Sequence, residues 1–164
     1  AEGSAKLIQT AREVNDGKPE WVAERVAQAV AYFEEQHNGE KPIVAAFGLA
    51  FKPDIDDLRE SPALQVTRSL SKKYGKHLVI VEPFVDSLPD DLGACEKMNF
   101  DTAVMRADIL IFLVAHSIFR HRKDDQIYDN KYIIDVAGLF EGNEERRGCN
   151  KELSVSSKAL VQCS

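Results

Sequence analysis

Apolar residues recur along this chain in two different rhythms. Between residues 19 and 39 they come every three to four positions, at Val22, Val26, Ala29, Val30 and Phe33. That spacing lays one stripe along an α-helix, and His37-Asn38-Gly39 supplies its stop. An upstream stripe of Leu7, Ile8, Ala11 and Val14 predicts a helix over 5–15, with Pro19 opening or kinking the next turn. Beyond Lys41 the rhythm changes to short continuous runs at 43–48, 77–81, 108–114 and 132–135. Runs of that length predict strands, and the unbroken 108–114 run predicts a central one buried on both faces. Helices are predicted between them over 62–74 and 100–106, with a short one inside 117–128. Ser61 is the expected cap of the first, with Pro62 at its first position and Gly75 stopping it. Residues 84–99, rich in Asp, Pro and Gly, read as irregular. Strands alternating with helices predict an α/β fold: a doubly wound, Rossmann-like parallel sheet preceded by a long N-terminal helix.

This pattern divides the chain into a helical segment (1–38), an α/β domain (39–141) and a polar tail without periodicity (142–164). Parallel strands bring their carboxyl ends to one rim, here 48–53, 82–83, 115–117 and 136–138, where a ligand is expected. At 164 residues and 44% hydrophobic, the chain suits one domain with a real core. Its formal charge of −6 argues against nucleic acid or a membrane surface as partner. No apolar run spans a bilayer and no signal peptide precedes the first helix, so a cytoplasmic protein is expected. Cys95, Cys149 and Cys163 are odd in number and lack metal-ligand spacing, which predicts reduced thiols and no metal site.

The chemistry gathers in the loop after the first strand, residues 47–63. Lys52 lies just past the strand end and suits an anionic ligand; a solvated surface lysine is the plain alternative. Arg59 sits among Asp56, Asp57 and Glu60, which predicts an ion-pair network pinning the loop. Glu82 ends the second strand, where an acidic side chain can hold ribose hydroxyls. His116 follows the third run and is placed near the ligand without a catalytic role. Arg12 and Asn15 share a helical face and could border a cleft or simply solvate the helix. The first crossover lacks G-x-G-x-x-G, so it does not read as a dinucleotide cradle.

Gly48-Leu49-Ala50-Phe51-Lys52-Pro53, followed by Asp56-Asp57-Leu58-Arg59-Glu60-Ser61-Pro62-Ala63, resembles the signature of the nucleotide-sugar dehydrogenases, which act on UDP-glucose, GDP-mannose and UDP-N-acetylmannosamine. The resemblance runs from about Thr10 to about Phe140 and includes Ala11-Arg12-Glu13-Val14-Asn15-Asp16. Asn15-Asp16-Gly17-Lys18-Pro19 and His116-Ser117-Ile118-Phe119 shade it towards the UDP-N-acetylmannosamine branch. It implies a nucleotide-sugar-binding C-terminal domain, in which Phe51 and Lys52 contact a UDP-sugar. It also implies that Arg59 reaches an NAD bound mainly by an N-terminal domain this chain lacks. The first helix then links domains and builds a homodimer.

The implied function is part of an NAD-dependent nucleotide-sugar 6-dehydrogenase of polysaccharide biosynthesis, beginning inside the linking helix and inactive alone. The family's catalytic cysteine forms a thiohemiacetal, and none of the three cysteines here stands in a matching context, so no catalytic residue is assigned. Ala137 stands where many members carry a phosphate-binding basic residue. That departure supports the alternative of a non-catalytic dimerisation module with a decayed nucleotide site. A free-standing flavodoxin-like regulator would need an acidic phosphoacceptor pocket at the end of the first strand, which is missing.

Overall fold

The four apolar runs pair side by side, all parallel. A computed structural model describes residues 2–140, with side chains from residue 19 onward. Helix α1 (Glu2–Gln36) leads into β1 (Val44–Phe47), α2 (Pro62–Tyr74), β2 (Leu78–Val81), β3 (Glu96–Lys97), α3 (Phe100–Arg106), β4 (Ile109–Phe112), α4 (Ser117–Arg120) and β5 (Tyr132–Asp135). The sheet order is β3-β2-β1-β4-β5. Val44 stands between Leu78 and Ile109, and Phe47 between Val81 and Phe112. The doubly wound sheet and its leading helix are therefore as the sequence predicts.

Alternate residues of each strand feed opposite faces. Val44, Ala46, Leu78, Ile80, Ile109 and Ile111 pack with Val22, Val26 and Ala29 of α1 and Leu64, Val66 and Leu70 of α2. Ala45, Phe47, Val79, Val81, Leu110 and Phe112 pack with Phe100, Ala103 and Val104 of α3 and with Phe119. This second face is aromatic: the Phe47 and Phe112 rings stack at 4.6 Å, and Phe119 meets Phe47 edge-on at 5.6 Å. Both faces are covered, which is why the strands read as continuous apolar runs rather than alternating ones.

Two expectations are corrected. Pro19 does not start a new element, since α1 runs through it. Proline removes one helical hydrogen bond, and the turn that follows is anchored by Val22 and Val26, both fully buried. The irregular stretch 84–99 contains a fifth strand, β3, two residues long and paired on one side to β2. Its residues Glu96 and Lys97 are exposed and polar, as a short edge strand allows, so no hydrophobic pattern announces it.

Cys95 is buried, its thiol donating to the Ser71 hydroxyl at 3.3 Å. Among the described residues no helix is long and apolar enough to cross a membrane. The side chains of Leu7, Ile8, Ala11, Arg12, Val14 and Asn15, and the segment 142–164 with Cys149 and Cys163, lie outside what the structure describes.

Candidate functional site at the sheet rim

In the order 3-2-1-4-5 the chain leaves β1 in one direction and β4 in the other. The carboxyl ends of these two neighbouring strands are the topological switch point, where doubly wound sheets leave a crevice. Here the crevice is closed at its base by contact. Gly48 has φ +92° and lies so close to the turn after β4 that a Cβ would fall 2.5 Å from the Val114 Cβ. Above that contact the loop from Leu49 to Ser61 rises out of the rim.

The loop is folded back on itself. The Ser61 hydroxyl donates to the Leu49 carbonyl at 2.6 Å and accepts from the Leu64 N–H at 3.3 Å, so one buried side chain both caps α2 and joins the loop's ends. The Phe51 N–H donates to the Asp57 carbonyl at 2.9 Å across the loop. Phe51, 49% exposed, and the exposed Lys52 stand at the crest, with the Lys52 ammonium 5.8 Å from the Phe51 ring centroid. Beside them is a groove of about 190 Å³ whose walls include Ala50, Phe51, Pro62, Leu113, Val114 and Val136. Phe51 borders this groove, and Lys52 stands beside that ring.

Glu82 and His116 lie at the rim, with their side chains turned into the protein. Glu82 is 1% exposed and His116 fully buried. One Glu82 oxygen, Oε2, accepts from the Leu49 N–H (2.7 Å), the Ala50 N–H (3.2 Å) and the His116 ring (3.0 Å). The other, Oε1, accepts from the Phe84 N–H at 3.0 Å. Burial alone would push this carboxyl up, but the bonds from His116, Leu49 and Phe84 together bring it below the usual glutamate value. Both its oxygens are engaged by protein, and the side chain is closed off from the groove.

His116 is committed as fully. Its Nδ1 accepts from the Asp54 N–H at 2.8 Å, which leaves Nε2 to carry the proton and donate to Glu82. Phe84 covers the ring at 4.9 Å. Both residues hold the site's backbone and neither reaches into the groove.

The other end of this chain of bonds is a residue that pattern reading passes over. Asp54 adopts φ +63°, a left-handed conformation uncommon outside glycine. Its carboxylate accepts from the Ser117 N–H at 2.8 Å and from the Ser117 hydroxyl. The latter bonds come first among the causes that depress Asp54 below its ordinary value. Helix α4 has no side-chain cap of its own; Asp54 caps it from 63 positions away. A Ser after a strand end was the only local signal for this contact, and nothing local names its partner.

Arg59 forms a forked pair with Asp57, Nε to Oδ1 at 3.0 Å and Nη2 to Oδ2 at 2.9 Å, while its own N–H also donates to Oδ1. These contacts lower Asp57 to about 2. The Arg59 side chain is 88% exposed. Of the network expected with Asp56, Asp57 and Glu60, the structure shows the pair with Asp57. Ala137 is half-buried in the aromatic layer, its N–H donating to the Phe112 carbonyl at 3.0 Å. Asp135 shapes this last turn by accepting from the Leu139 and Phe140 N–H groups.

A doubly wound parallel sheet with a self-tied loop at its switch point defines a Rossmann-like domain of the α/β class. Residues 45–142 match the UDP binding domain of the UDP-glucose/GDP-mannose dehydrogenase family, and the chain belongs to that family. It is 43% identical over 137 residues to an NDP-N-acetyl-D-galactosaminuronic acid dehydrogenase from Ralstonia solanacearum, a match covering 84% of this chain and 31% of that protein. It is 42% identical over 139 residues to the UDP-N-acetyl-D-mannosamine dehydrogenase of Salmonella typhi, covering 83% of this chain and 33% of the relative. Its fold matches the UDP-N-acetyl-mannosamine dehydrogenase Cap5O from Staphylococcus aureus, with a TM-score of 0.60 and 27% identity, over 83% of this chain and 31% of that one. The chain thus spans about a third of the length of the curated relatives it matches.

Proposed function

We propose that this chain is the nucleotide-sugar-gripping part of an NAD-dependent nucleotide-sugar 6-dehydrogenase that oxidises a UDP-sugar of the N-acetylmannosamine kind. The observation that carries the reading is the crest itself. Phe51 borders a groove at the switch point and Lys52 stands beside its ring, on a loop tied at both ends. The Phe51 ring offers an apolar face to the sugar nucleotide, and the Lys52 ammonium meets the diphosphate as a point charge. NAD supplies the hydride acceptor when bound, mainly through a domain outside this chain. Arg59, exposed and oriented by Asp57, is the residue here that reaches towards it.

The work of this domain is then to hold the sugar's C6 in place for a reaction performed by other residues. Positioning of that kind can supply roughly 7–11 kcal/mol of a barrier. Homodimerisation through α1 belongs to the same reading: Trp21 on that helix is 47% exposed, next to the buried Val22.

Calorimetry with UDP tests the grip. The chain binds UDP weakly, Lys52→Ala removes the heat, and the isolated chain makes no NADH from UDP-sugar and NAD. One observation favours a second reading, a dimerisation module with a decayed nucleotide site: Ala137 places a methyl group at the turn after β5, where a basic side chain would serve. On that reading UDP gives no heat and Lys52→Ala changes nothing.

A further inference from the structure

We propose that Glu82, His116, Asp54 and Ser117 act together as positioning residues for Lys52, so that the ligand's affinity is set by groups that never touch it. The inference rests on Phe51 and Lys52 being the nucleotide contact. Lys52 is exposed, with a long flexible stem, and an ammonium on a wandering loop loses affinity to the cost of ordering it. The backbone around it removes that freedom.

On the C-terminal side, Pro53 fixes its own φ and confines the preceding residue, Lys52, to extended conformations. The next residue, Asp54, is held at φ +63° by three hydrogen bonds: its N–H to His116 Nδ1, and its carboxylate from the Ser117 N–H and hydroxyl. Few torsions separate that fixed point from the Lys52 Cα. On the N-terminal side, the Leu49 and Ala50 N–H groups are bound to Glu82 Oε2, and the Phe51 N–H to the Asp57 carbonyl.

Both sides converge on one atom. Glu82 Oε2 holds Leu49 and Ala50 directly, and Asp54 through the His116 ring. A buried carboxylate–imidazole pair is a costly way to hold two loops together, since apolar side chains of similar volume do so at least as well. What the polar relay adds is a single geometry, because each bond fixes direction as well as contact. A left-handed aspartate held by three hydrogen bonds from a second loop is the kind of local constraint that marks a functional segment.

The sign of one substitution separates positioning from simple electrostatics. Asp54 is a negative charge two residues from Lys52, and as a charge alone it repels UDP. Asp54→Gly keeps the left-handed backbone accessible, removes the charge and breaks both bonds to Ser117. Asp54→Asn removes the same charge but keeps an oxygen that accepts from Ser117. Ser117→Ala leaves the charge and removes the hydroxyl bond.

UDP binding to the 164-residue chain is measured by calorimetry for all four proteins, each far below its own melting temperature and at two salt concentrations. Positioning gives about tenfold weaker binding for Asp54→Gly, a smaller loss for Ser117→Ala and near-native binding for Asp54→Asn. Asp54→Gly should also show a flatter salt dependence, since the Lys52 charge no longer meets the phosphate. Equal or tighter binding by Asp54→Gly overturns the inference while leaving Lys52 as the contact. Failure of the unaltered chain to bind UDP overturns that contact and the inference with it.

Discussion

Gly48 and Val114 hold the two halves of the switch point in contact: a Cβ on Gly48 would lie 2.5 Å from the Val114 Cβ and 3.0 Å from its backbone nitrogen. The loop bearing Lys52 leaves β1 through this residue, and the turn bearing His116 leaves β4 through its neighbour. Two independent constraints exclude a side chain here. The φ of +92° disfavours any L-residue, and the space is filled partly by backbone, which cannot rotate away.

Gly48→Ala is therefore expected to cost more than about 2 kcal/mol of stability in urea denaturation, combining backbone strain with overpacking. The pair Gly48→Ala, Val114→Ala removes only the Cγ2 contact, since alanine keeps the Cβ at 2.5 Å, and recovers little of the loss. An alanine at 48 tolerated without cost would mean that the strands do not approach as described.

Acid should loosen the site before it unfolds the rest. Glu82 and Asp54 are both held below their ordinary values of 4.5 and 3.8. A carboxyl with a depressed folded pKa takes up its proton more readily in the unfolded chain. Its stabilisation is then complete above the unfolded value and is lost as pH falls through the folded one. The contribution of these two groups should be constant near neutrality and decline below about pH 4.5. Hydrogen exchange at the Leu49, Ala50 and Phe84 amides, followed from neutrality into acid, reads this directly: protection falls there first. Uniform loss across the sheet would show that protonating these two carboxyls does not open the site first.

The fold was legible because burial on both faces writes continuous apolar runs, and because Ser61-Pro62 and Gly75 mark helix ends with local chemistry. All four predicted strands are present, trimmed by a residue or two where runs extend past the ladder. Strand β3 was not legible, since two exposed polar residues at an edge carry no pattern. Within the site, Lys52 and the Asp57–Arg59 pair could be read because their neighbours in sequence decide their surroundings. Glu82 and His116 were placed at the rim for the right topological reason, but their partners in the loop could not be read. Position along the chain locates a strand end, but whether its side chain faces ligand or loop depends on contacts 32 to 34 residues apart. Asp54 and Ser117 escaped notice for the same reason.

The Asp57–Arg59 fork makes a prediction about charge rather than stability. Asp57 sits at about 2 because the Arg59 side chain and N–H bind its carboxylate. With Arg59→Gln the fork is lost and the Asp57 carboxyl should move back towards 3.8, as followed by carboxyl carbon NMR during an acid titration. Because the pair is at the surface, the melting temperature should hardly change. An Asp57 titration unmoved by Arg59→Gln would mean that the fork is not formed in solution, and that Arg59 is not oriented by its neighbour.

Tyr128 tests the aromatic layer from within. Its ring packs against Phe112 and Phe140 at 6.0 and 5.3 Å, yet its hydroxyl is buried with no hydrogen-bond partner among the described residues. Burial, with the nearby Asp125 charge, pushes the phenol well above its ordinary value, so the group stays neutral and unpaired. Removing an unsatisfied buried hydroxyl while keeping the ring relieves a desolvation cost and leaves the packing intact. Tyr128→Phe is therefore expected to raise stability by about 1 kcal/mol in urea denaturation, against the usual trend for core substitutions. A loss of similar size would reveal a water or a backbone carbonyl bound to the hydroxyl in solution. The turn between α4 and β5 would then be held by a polar contact in place of the aromatic one.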